Sequence, residues 1–260
     1  MAGVIKISRE CMLYFLFFVD SVKSNSTRMK FFLSSLFCFM VCSAVYAQQN
    51  IRGAWTFKQD SITHLVLVTP AYYSYSVFAP HRFIHTEGGA WRGFSGTNAV
   101  ETVTEFNSSD ITRVREKLTD SSFFSRFHHG LDNAVPAGQW QHNTAADAAV
   151  DAVWRISGRV QEGDMKSIPE GARKTIKLLA GGWFHWAAIN TATGEFFGTG
   201  GGRFSYVPGS YTEQIGFFSR DNSRVGLSLQ FSDQIANGKW DHQGKSTKGD
   251  PIHEIWTRED

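Results

Sequence analysis

The chain carries two diverged copies of one sequence pattern, in the same order and about 100 residues apart. The segment GQWQH at residues 138–142 recurs as GKWDH at residues 238–242. The other matching pairs are 65–78 with 176–189, 110–118 with 221–229, and 151–155 with 253–258. Solenoid repeats span about 20 to 50 residues, so a repeat of this length is expected to form a small domain. The pattern predicts two similar units, residues 48–160 and residues 161–260.

The first 47 residues read as a short extension followed by a secretory signal. Lys30 precedes an apolar run at residues 31–45, and the small residue Ala47 suits cleavage directly after it. A membrane anchor is the alternative, but the run of about 15 residues is shorter than the roughly 20 that a spanning helix needs. We therefore expect a secreted or periplasmic mature chain, residues 48–260, with no stable membrane span after cleavage.

The composition of the mature chain narrows its chemistry and its partners. All three cysteines (Cys11, Cys38 and Cys42) precede residue 48, so no disulfide and no thiol nucleophile is expected after cleavage. Residues 1–47 hold five of the 26 Lys and Arg and two of the 24 Asp and Glu, which leaves 21 basic and 22 acidic residues. A net charge of −1 gives no electrostatic indication of a nucleic-acid partner.

Hydrophobic periodicity in the mature chain is that of β-strands. In residues 210–218, one set of alternating positions is Tyr211, Glu213, Ile215 and Phe217. Period-two runs separated by Gly, Asn, Asp and Ser are typical of antiparallel all-β folds. We predict two tandem antiparallel β-barrels, with one larger barrel built from both repeats as the alternative. The Gly- and Pro-containing residues 156–173 place the boundary near residue 160, and residues 121–137 form an insertion in the first copy.

Two segments resemble a known family. IRGAWTF at residues 51–57 is similar to the Gly-x-Trp first strand of lipocalin-like (calycin) barrels. Residues 181–218 and 252–258 resemble a group of secreted lipocalin-like bacterial proteins of unassigned function. The resemblance implies a barrel with a cavity, in which a Trp closes one end beneath a basic residue of the last strand. Arg155, next to Trp154, is the candidate for that basic residue. The resemblance implies no activity.

The acidic residue Glu213 shares its strand face with Tyr211 and Ile215, so it is expected to point inward. A buried carboxylate must be paired, hydrogen-bonded or protonated, and its pKa is often raised enough for acid or base catalysis. The structural alternative is an ion pair with Arg203 or Arg258. Glu254 is the second candidate carboxylate, and two inward carboxylates permit paired acid–base chemistry such as glycosidic-bond cleavage. His185 is the third candidate catalytic residue.

Aromatic side chains recur at equivalent positions of both copies and predict a ligand-stacking wall. Phe184 and Trp186 align with Tyr73 and Tyr75, and His185 falls on the opposite strand face. The predicted ligand-binding residues are Phe184, Trp186, Trp183, Arg203, Tyr211, Trp256, Tyr73 and Tyr75. His142 and His242 recur beside Trp140 and Trp240, which suggests a shared structural role.

No metal site and no cofactor is predicted, because the histidines lack metal-ligand spacing and the glycines at residues 200–202 follow no strand–helix signature. Those glycines instead suggest barrel curvature or close backbone approach. The leading hypothesis is a small-molecule binding protein with a cavity in the second barrel, for an apolar or carbohydrate-like ligand. The alternative is a lyase, isomerase or glycoside hydrolase that uses Glu213 with Glu254 or His185. A third possibility is a structural role at the cell envelope.

Overall fold

Period-two sequences form sixteen β-strands in the computed structural model, which describes residues 51–94, 99–120, 140–144 and 149–259. The strands of the first half are β1 (Gly53–Gln59), β2 (Ile62–Val68), β3 (Tyr72–Ala79), β4 (Arg82–Gly93), β5 (Val100–Asn107), β6 (Lys117–Asp120) and β7 (Gln141–Asn143). Those of the second half are β8 (Ala152–Gln161), β9 (Asp164–Ser167), β10 (Arg173–Ala180), β11 (Trp183–Asn190), β12 (Phe196–Val207), β13 (Ser210–Phe218), β14 (Ser228–Ala236), β15 (Lys239–Lys245) and β16 (Pro251–Arg258). The predicted signal segment and the insertion at residues 121–137 lie outside the described residues.

The second half forms a closed antiparallel barrel of eight strands. Strands β10 to β16 pair in sequence order, β16 pairs with β8, and β8 pairs with β10 to complete the circle. Strand β9 extends the β8 edge as a hairpin. Closure removes the exposed strand edges of an open sheet. The barrel takes β8 from the end of the first repeat but none of β1 to β7, so the described residues do not form one larger barrel from the strands of both repeats.

The first half forms a separate sheet of seven strands in the order β6-β5-β4-β3-β2-β1-β7. Its two edge strands, β6 and β7, are not paired with each other in the part of the chain that the structure describes. The expectation of two barrels is therefore met in one half only. No helix in the described ranges has the length and apolar character that crossing a membrane requires.

The pairing of strand β8 accounts for the difference between the closed barrel of the second half and the separate sheet of the first half. The sequence pattern assigned residues 151–155 to the end of the first repeat, but β8 is hydrogen-bonded between β16 and β10 as a strand of the barrel. Trp154 on β8 donates from Nε1 to the carbonyl of Val150, just as Trp55 on β1 donates to the carbonyl of Ile51. Strand β8 thus takes in the barrel the place that β1 takes in the first sheet.

The two sheets pack face to face through strands that are buried on both sides. Ile176 and Leu178 on β10 point outward from the barrel and contact the first sheet, whereas Lys177 and Leu179 point inward. At this interface Phe217 stacks on Phe78 with ring centres 4.7 Å apart. Apolar residues on alternate positions of both faces produce the nearly continuous hydrophobic run of β10.

Two local structures occur in both halves at the positions of the repeated sequence. Asp110 and Asp221 each cap a short 3-10 helix, accepting from the backbone N–H of Thr112 at 2.9 Å and of Ser223 at 3.0 Å. A β-bulge interrupts the pairing at residues 88/89 and again at residues 201/202. A side chain at Gly202 would overlap the carbonyl oxygen of Gln214, so the bulge requires glycine there.

Candidate binding site inside the barrel

Alternation along each strand directs a mainly aromatic set of side chains into the barrel. The inward residues include Trp154, Ile156, Lys177, Leu179, Phe184, Trp186, Tyr211, Glu213, Ile215, Phe231, Asp233, Trp240, His242, Glu254 and Trp256. The rings of Trp154, Trp240 and Tyr211 have no exposed surface. Because an atom beside a water-sized space would show exposed area, the barrel is packed and not hollow around these three rings.

A buried ion pair lies within this aromatic lining. Lys177 Nζ on β10 donates to Glu213 Oε1 on β13 at 2.8 Å, and each residue is only 5% exposed. The sequence prediction of an inward Glu213 thus agrees with its position, but its partner is Lys177 and neither of the expected arginines. Burying two charges costs several kcal/mol per ion, so an isolated ion pair seldom improves stability over apolar residues of similar size.

Three aromatic rings surround the Lys177 ammonium group. Its Nζ lies 4.9 Å from the ring centre of Trp256, 5.2 Å from that of Trp240 and 5.5 Å from that of Tyr211. All three distances fall within the range of cation–π attraction, which is stronger when the cation is shielded from water. The rings and Glu213 together hold the ammonium group at the centre of the barrel.

An Asp–His pair lies beside the same rings. Asp233 Oδ1 accepts from Trp240 Nε1 at 2.9 Å, and Nδ1 of His242 is 2.9 Å from the same oxygen. Burial raises the pKa of Asp233 to about 7. Burial, and secondarily the charge of Lys177, hold the pKa of His242 well below its usual value. Asp233 can therefore gain or lose a proton near neutral pH, while His242 stays uncharged.

Two buried polar atoms around Lys177 have no hydrogen-bond partner among the described residues: Trp256 Nε1 and Asp233 Oδ2. Burial raises the pKa of the Tyr211 hydroxyl well above its usual value, and Glu213 raises it further, through its charge and as the acceptor of the hydroxyl proton. An unsatisfied buried polar atom costs about 1 to 3 kcal/mol. We call Lys177 and the six residues around it the interior cluster; those six are Tyr211, Glu213, Asp233, Trp240, His242 and Trp256.

Two inward aromatic residues at one end of the barrel are partly exposed. Trp186 and Phe218, whose rings meet edge to face at 5.5 Å, are inward residues that remain partly exposed. Glu254 lies toward this end and accepts from Arg159 Nη2 at 2.6 Å. We call this end the mouth. It brings the predicted residues Trp186 and Glu254 to the same barrel interior as Glu213.

The opposite end is closed by Trp154. Arg258 on the last strand places its guanidinium 5.7 Å from the Trp154 ring centre and donates from Nη2 to the carbonyl of Asp151 at 3.1 Å. The sequence analysis expected Arg155 in this role, but the Arg155 side chain instead binds Glu259 at 2.8 Å. Arg155 follows Trp154 directly on β8, so strand alternation turns it away from the barrel interior.

The remaining predicted residues do not join the interior cluster. His185 points outward to the first sheet, where its Nε2 lies 2.7 Å from Thr199 Oγ1 and 3.3 Å from Thr86 Oγ1. Burial lowers the pKa of His185 to about 3, so it is neutral. Trp183 and Arg203 contact each other on the outer wall, with the guanidinium 4.8 Å from the ring centre.

Tyr73 and Tyr75 lie in the core of the first sheet, apart from the barrel interior. Tyr75 contacts His64, whose Nδ1 is 2.7 Å from the hydroxyl, and burial lowers the pKa of His64 to about 4.

His142 and His242, which the sequence pattern predicted to share a structural role, differ in their contacts. His142 stacks on Trp55 at 3.6 Å and binds the carbonyl of Arg52, whereas His242 belongs to the interior cluster.

Sequence reasoning missed Lys177 and Asp233, although the strand pattern contains a signal for each. Lys177 is the only charged residue in the run Ile176–Lys177–Leu178–Leu179–Ala180, which is apolar on both faces. Asp233 continues the inward positions of Leu229 and Phe231. A lone charge on an inward position implies a buried partner, which is how both residues could have been found.

Outside the barrel, a cleft of about 300 Å³ is bordered by the β1–β2 turn, the β3–β4 turn and Gly216. The described ranges hold no group of three or more His, Cys, Asp or Glu side chains arranged to bind a metal.

The sequence matches no protein-family model and no curated protein.

Proposed function

We propose that this chain is a small-molecule binding protein whose ligand site is the interior of the eight-stranded barrel, between the mouth and the interior cluster. The observation that carries this proposal is the buried Lys177–Glu213 pair with unpaired polar atoms of Asp233 and Trp256 around it. A core selected for stability alone would use apolar residues at these positions. Polar groups retained at a cost to stability are typical of a site that recognises a ligand.

Entry is proposed through the mouth. Water does not reach the unpaired atoms in this structure, and the rings at the base are fully buried. Trp186 and Phe218 are the partly exposed aromatic residues above them. A ligand must therefore be small, and because the interior rings are close-packed, it reaches the cluster only when the mouth side chains and the rings of the cluster both shift to make room for it.

Native mass spectrometry of the purified chain tests the proposal. A co-purified small molecule or saturable binding from a fragment mixture is expected for the unaltered chain. The double variant Lys177→Met/Glu213→Leu removes the charges while keeping the volume, and it should fold but lose the bound mass. The matched control is Lys166→Met/Asp164→Leu, which removes an exposed pair with a 3.0 Å contact. Binding that is unchanged in the interior variant would overturn the proposal.

A second candidate function is acid–base catalysis in the same interior, of the lyase, isomerase or glycoside hydrolase kind. The observation that favours it is a carboxyl group, Asp233, whose pKa is raised by burial to about 7 beside Glu213 and His242. His185 lies on the outer wall, so Asp233 is the better acid–base partner for Glu213. Turnover that is equal in Glu213→Gln, Asp233→Asn and the unaltered chain, with a shift in ligand affinity alone, would exclude catalysis.

We also propose that the chain is an exported, lipocalin-like protein that arose by tandem duplication. Support for the family comes from the Trp154–Arg258 contact, which has the form expected of a calycin barrel end. Support for duplication comes from the paired caps at Asp110 and Asp221 and the paired bulges at residues 88/89 and 201/202. N-terminal sequencing of the exported chain would test cleavage after Ala47, and an intact N-terminus would contradict it.

A further inference from the structure

The two unpaired atoms of the interior cluster share one chemical property, which bears on the class of ligand. Trp256 Nε1 can only donate a hydrogen bond. Asp233 Oδ1 accepts from Trp240 Nε1, and in the tautomer that has its proton on Nδ1 His242 donates to the same oxygen. With that tautomer the acid proton of neutral Asp233 lies on the free oxygen, Oδ2. Both groups then offer donors to a ligand that reaches them, whereas the Tyr211 hydroxyl keeps its proton and directs it to Glu213.

The charges of the cluster nearly cancel. Lys177 and Glu213 neutralise each other at 2.8 Å, and His242 is uncharged. The titratable and charged groups that face Asp233 from the neighbouring elements are Lys177 on β10, Tyr211 and Glu213 on β13, His242 and Asp241 on β15, and Glu254 on β16, which is paired with Arg159. An ion added to this site would be an uncompensated charge in a desolvated interior.

We infer that the barrel takes an uncharged ligand that presents hydrogen-bond-accepting oxygen atoms on a small apolar ring or chain. This inference rests on the proposed function and names the class of ligand for the same site. The acceptor atoms pair with the free donors of Asp233 and Trp256, and the apolar part contacts the surrounding rings. Simple ketones, lactones and ethers belong to this class.

A series of six-membered rings of nearly equal size tests the class. The probes are cyclohexanone as the neutral acceptor, cyclohexanecarboxylate as the anion, cyclohexylammonium as the cation and methylenecyclohexane as the ring without an acceptor. Titration calorimetry at pH 6 is expected to give cyclohexanone an affinity at least about tenfold above each of the others, the effect of one or two recovered hydrogen bonds.

Two variants tie the preference to named donors. Trp256→Phe removes the indole N–H and should lower cyclohexanone affinity about tenfold while leaving that of methylenecyclohexane unchanged. Trp183→Phe, on the outer wall, is the matched control and should change neither. Raising the pH from 6 to 8 should weaken cyclohexanone binding, because Asp233 loses its donor proton. Asp233→Asn keeps an N–H donor at every pH and should abolish that pH dependence.

The outcomes separate the inference from the proposed function. Preference for the carboxylate or the ammonium probe, or equal affinity for the ring without an acceptor, overturns the ligand class while the barrel remains a binding site. If no probe binds but a co-purified molecule is lost from Lys177→Met/Glu213→Leu, the ligand class is again wrong and the proposed function stands. If no probe binds and no molecule co-purifies, both are wrong.

Discussion

Arg258 lies over the indole ring of Trp154, with 5.7 Å between the guanidinium carbon and the ring centre. The two residues face each other across β16 and β8, the strands that complete the barrel, and Arg258 also binds the carbonyl of Asp151. The Arg258 side chain thus covers the closed end of the barrel. It also links β16, the last strand, to Asp151, the residue that directly precedes β8. The contact lies at the pair of strands that, with β10, closes the barrel.

Replacing Arg258 by Met should destabilise the chain by about 1 to 2 kcal/mol, because the cation–π contact and a backbone hydrogen bond are both lost. Urea unfolding at neutral pH measures the change. Arg203→Met is the matched control, since Arg203 lies 4.8 Å from the Trp183 ring but is exposed. The control should lose less than about 0.5 kcal/mol. Equal losses of stability in the two variants would show that the Arg258 contact at the closed end contributes no more than an exposed cation–π contact.

Removing one member of the buried ion pair should be far more costly than removing both. Lys177→Met leaves Glu213 as a buried uncompensated carboxylate and should cost about 3 to 5 kcal/mol. The double variant Lys177→Met/Glu213→Leu should recover most of that loss, which a double-mutant cycle in urea measures. Lys166→Met removes an exposed partner and should cost less than about 1 kcal/mol. A single Lys177→Met variant as stable as the original chain would contradict the assignment of the pair.

His185 should make the chain less stable in mild acid. Its folded pKa is lowered by burial to about 3, against 6.5 in the unfolded chain, so between these values the unfolded state binds more protons. Stability therefore falls as the pH drops through this window, by about 2 kcal/mol from this residue between pH 7 and pH 5.

His185→Gln keeps a hydrogen-bonding side chain without charge, and its loss of unfolding free energy from pH 7 to pH 5 should be smaller by about that amount. His81→Asn, at an exposed turn position, is the control and should follow the original pH profile. Parallel profiles for His185→Gln and the original chain would mean that His185 is not buried in neutral form.

The bulge between β12 and β13 should tolerate no side chain at Gly202. A methyl group there would overlap the carbonyl oxygen of Gln214, so Gly202→Ala forces the two strands apart at the bulge. The expected cost is about 3 kcal/mol, seen as a lower urea midpoint. Gly171→Ala, with open space around its Cβ, is the control. A Gly202→Ala variant of normal stability would show that the barrel adjusts its pairing.

The all-β class and one antiparallel barrel could be predicted from sequence because period-two alternation is a local property of each strand. The same alternation correctly separates the inward Phe184 from the outward His185. The pairing of strands, in contrast, depends on residues that are far apart in the sequence. Lys177 and Glu213 are 36 positions apart and meet only because the barrel is closed. The sequence therefore could not distinguish Lys177 from Arg203 or Arg258 as the partner of Glu213.

Closure itself was beyond the sequence pattern for a related reason. Residues 151–155 match 253–258 in sequence, yet β8 pairs with β16 and β10 and so takes the position of a first strand. The two similar segments therefore occupy different positions in the fold. The reason is that the strand partners of each segment depend on which other strands lie beside it, and the segment's own sequence does not specify them. The role of Arg258 at Trp154 follows from that pairing and could not be read from either residue alone.

Because β8 precedes residue 160 in the chain but completes the wall of the barrel that follows it, the protein cannot be divided at the midpoint of its two repeats. A fragment that starts at residue 161 would lack Trp154 and leave β10 and β16 with free edges. Any recombination that passes the second half on as a working module must cut upstream of Val150, so the natural joint of this chain lies inside what its sequence presents as the first repeat.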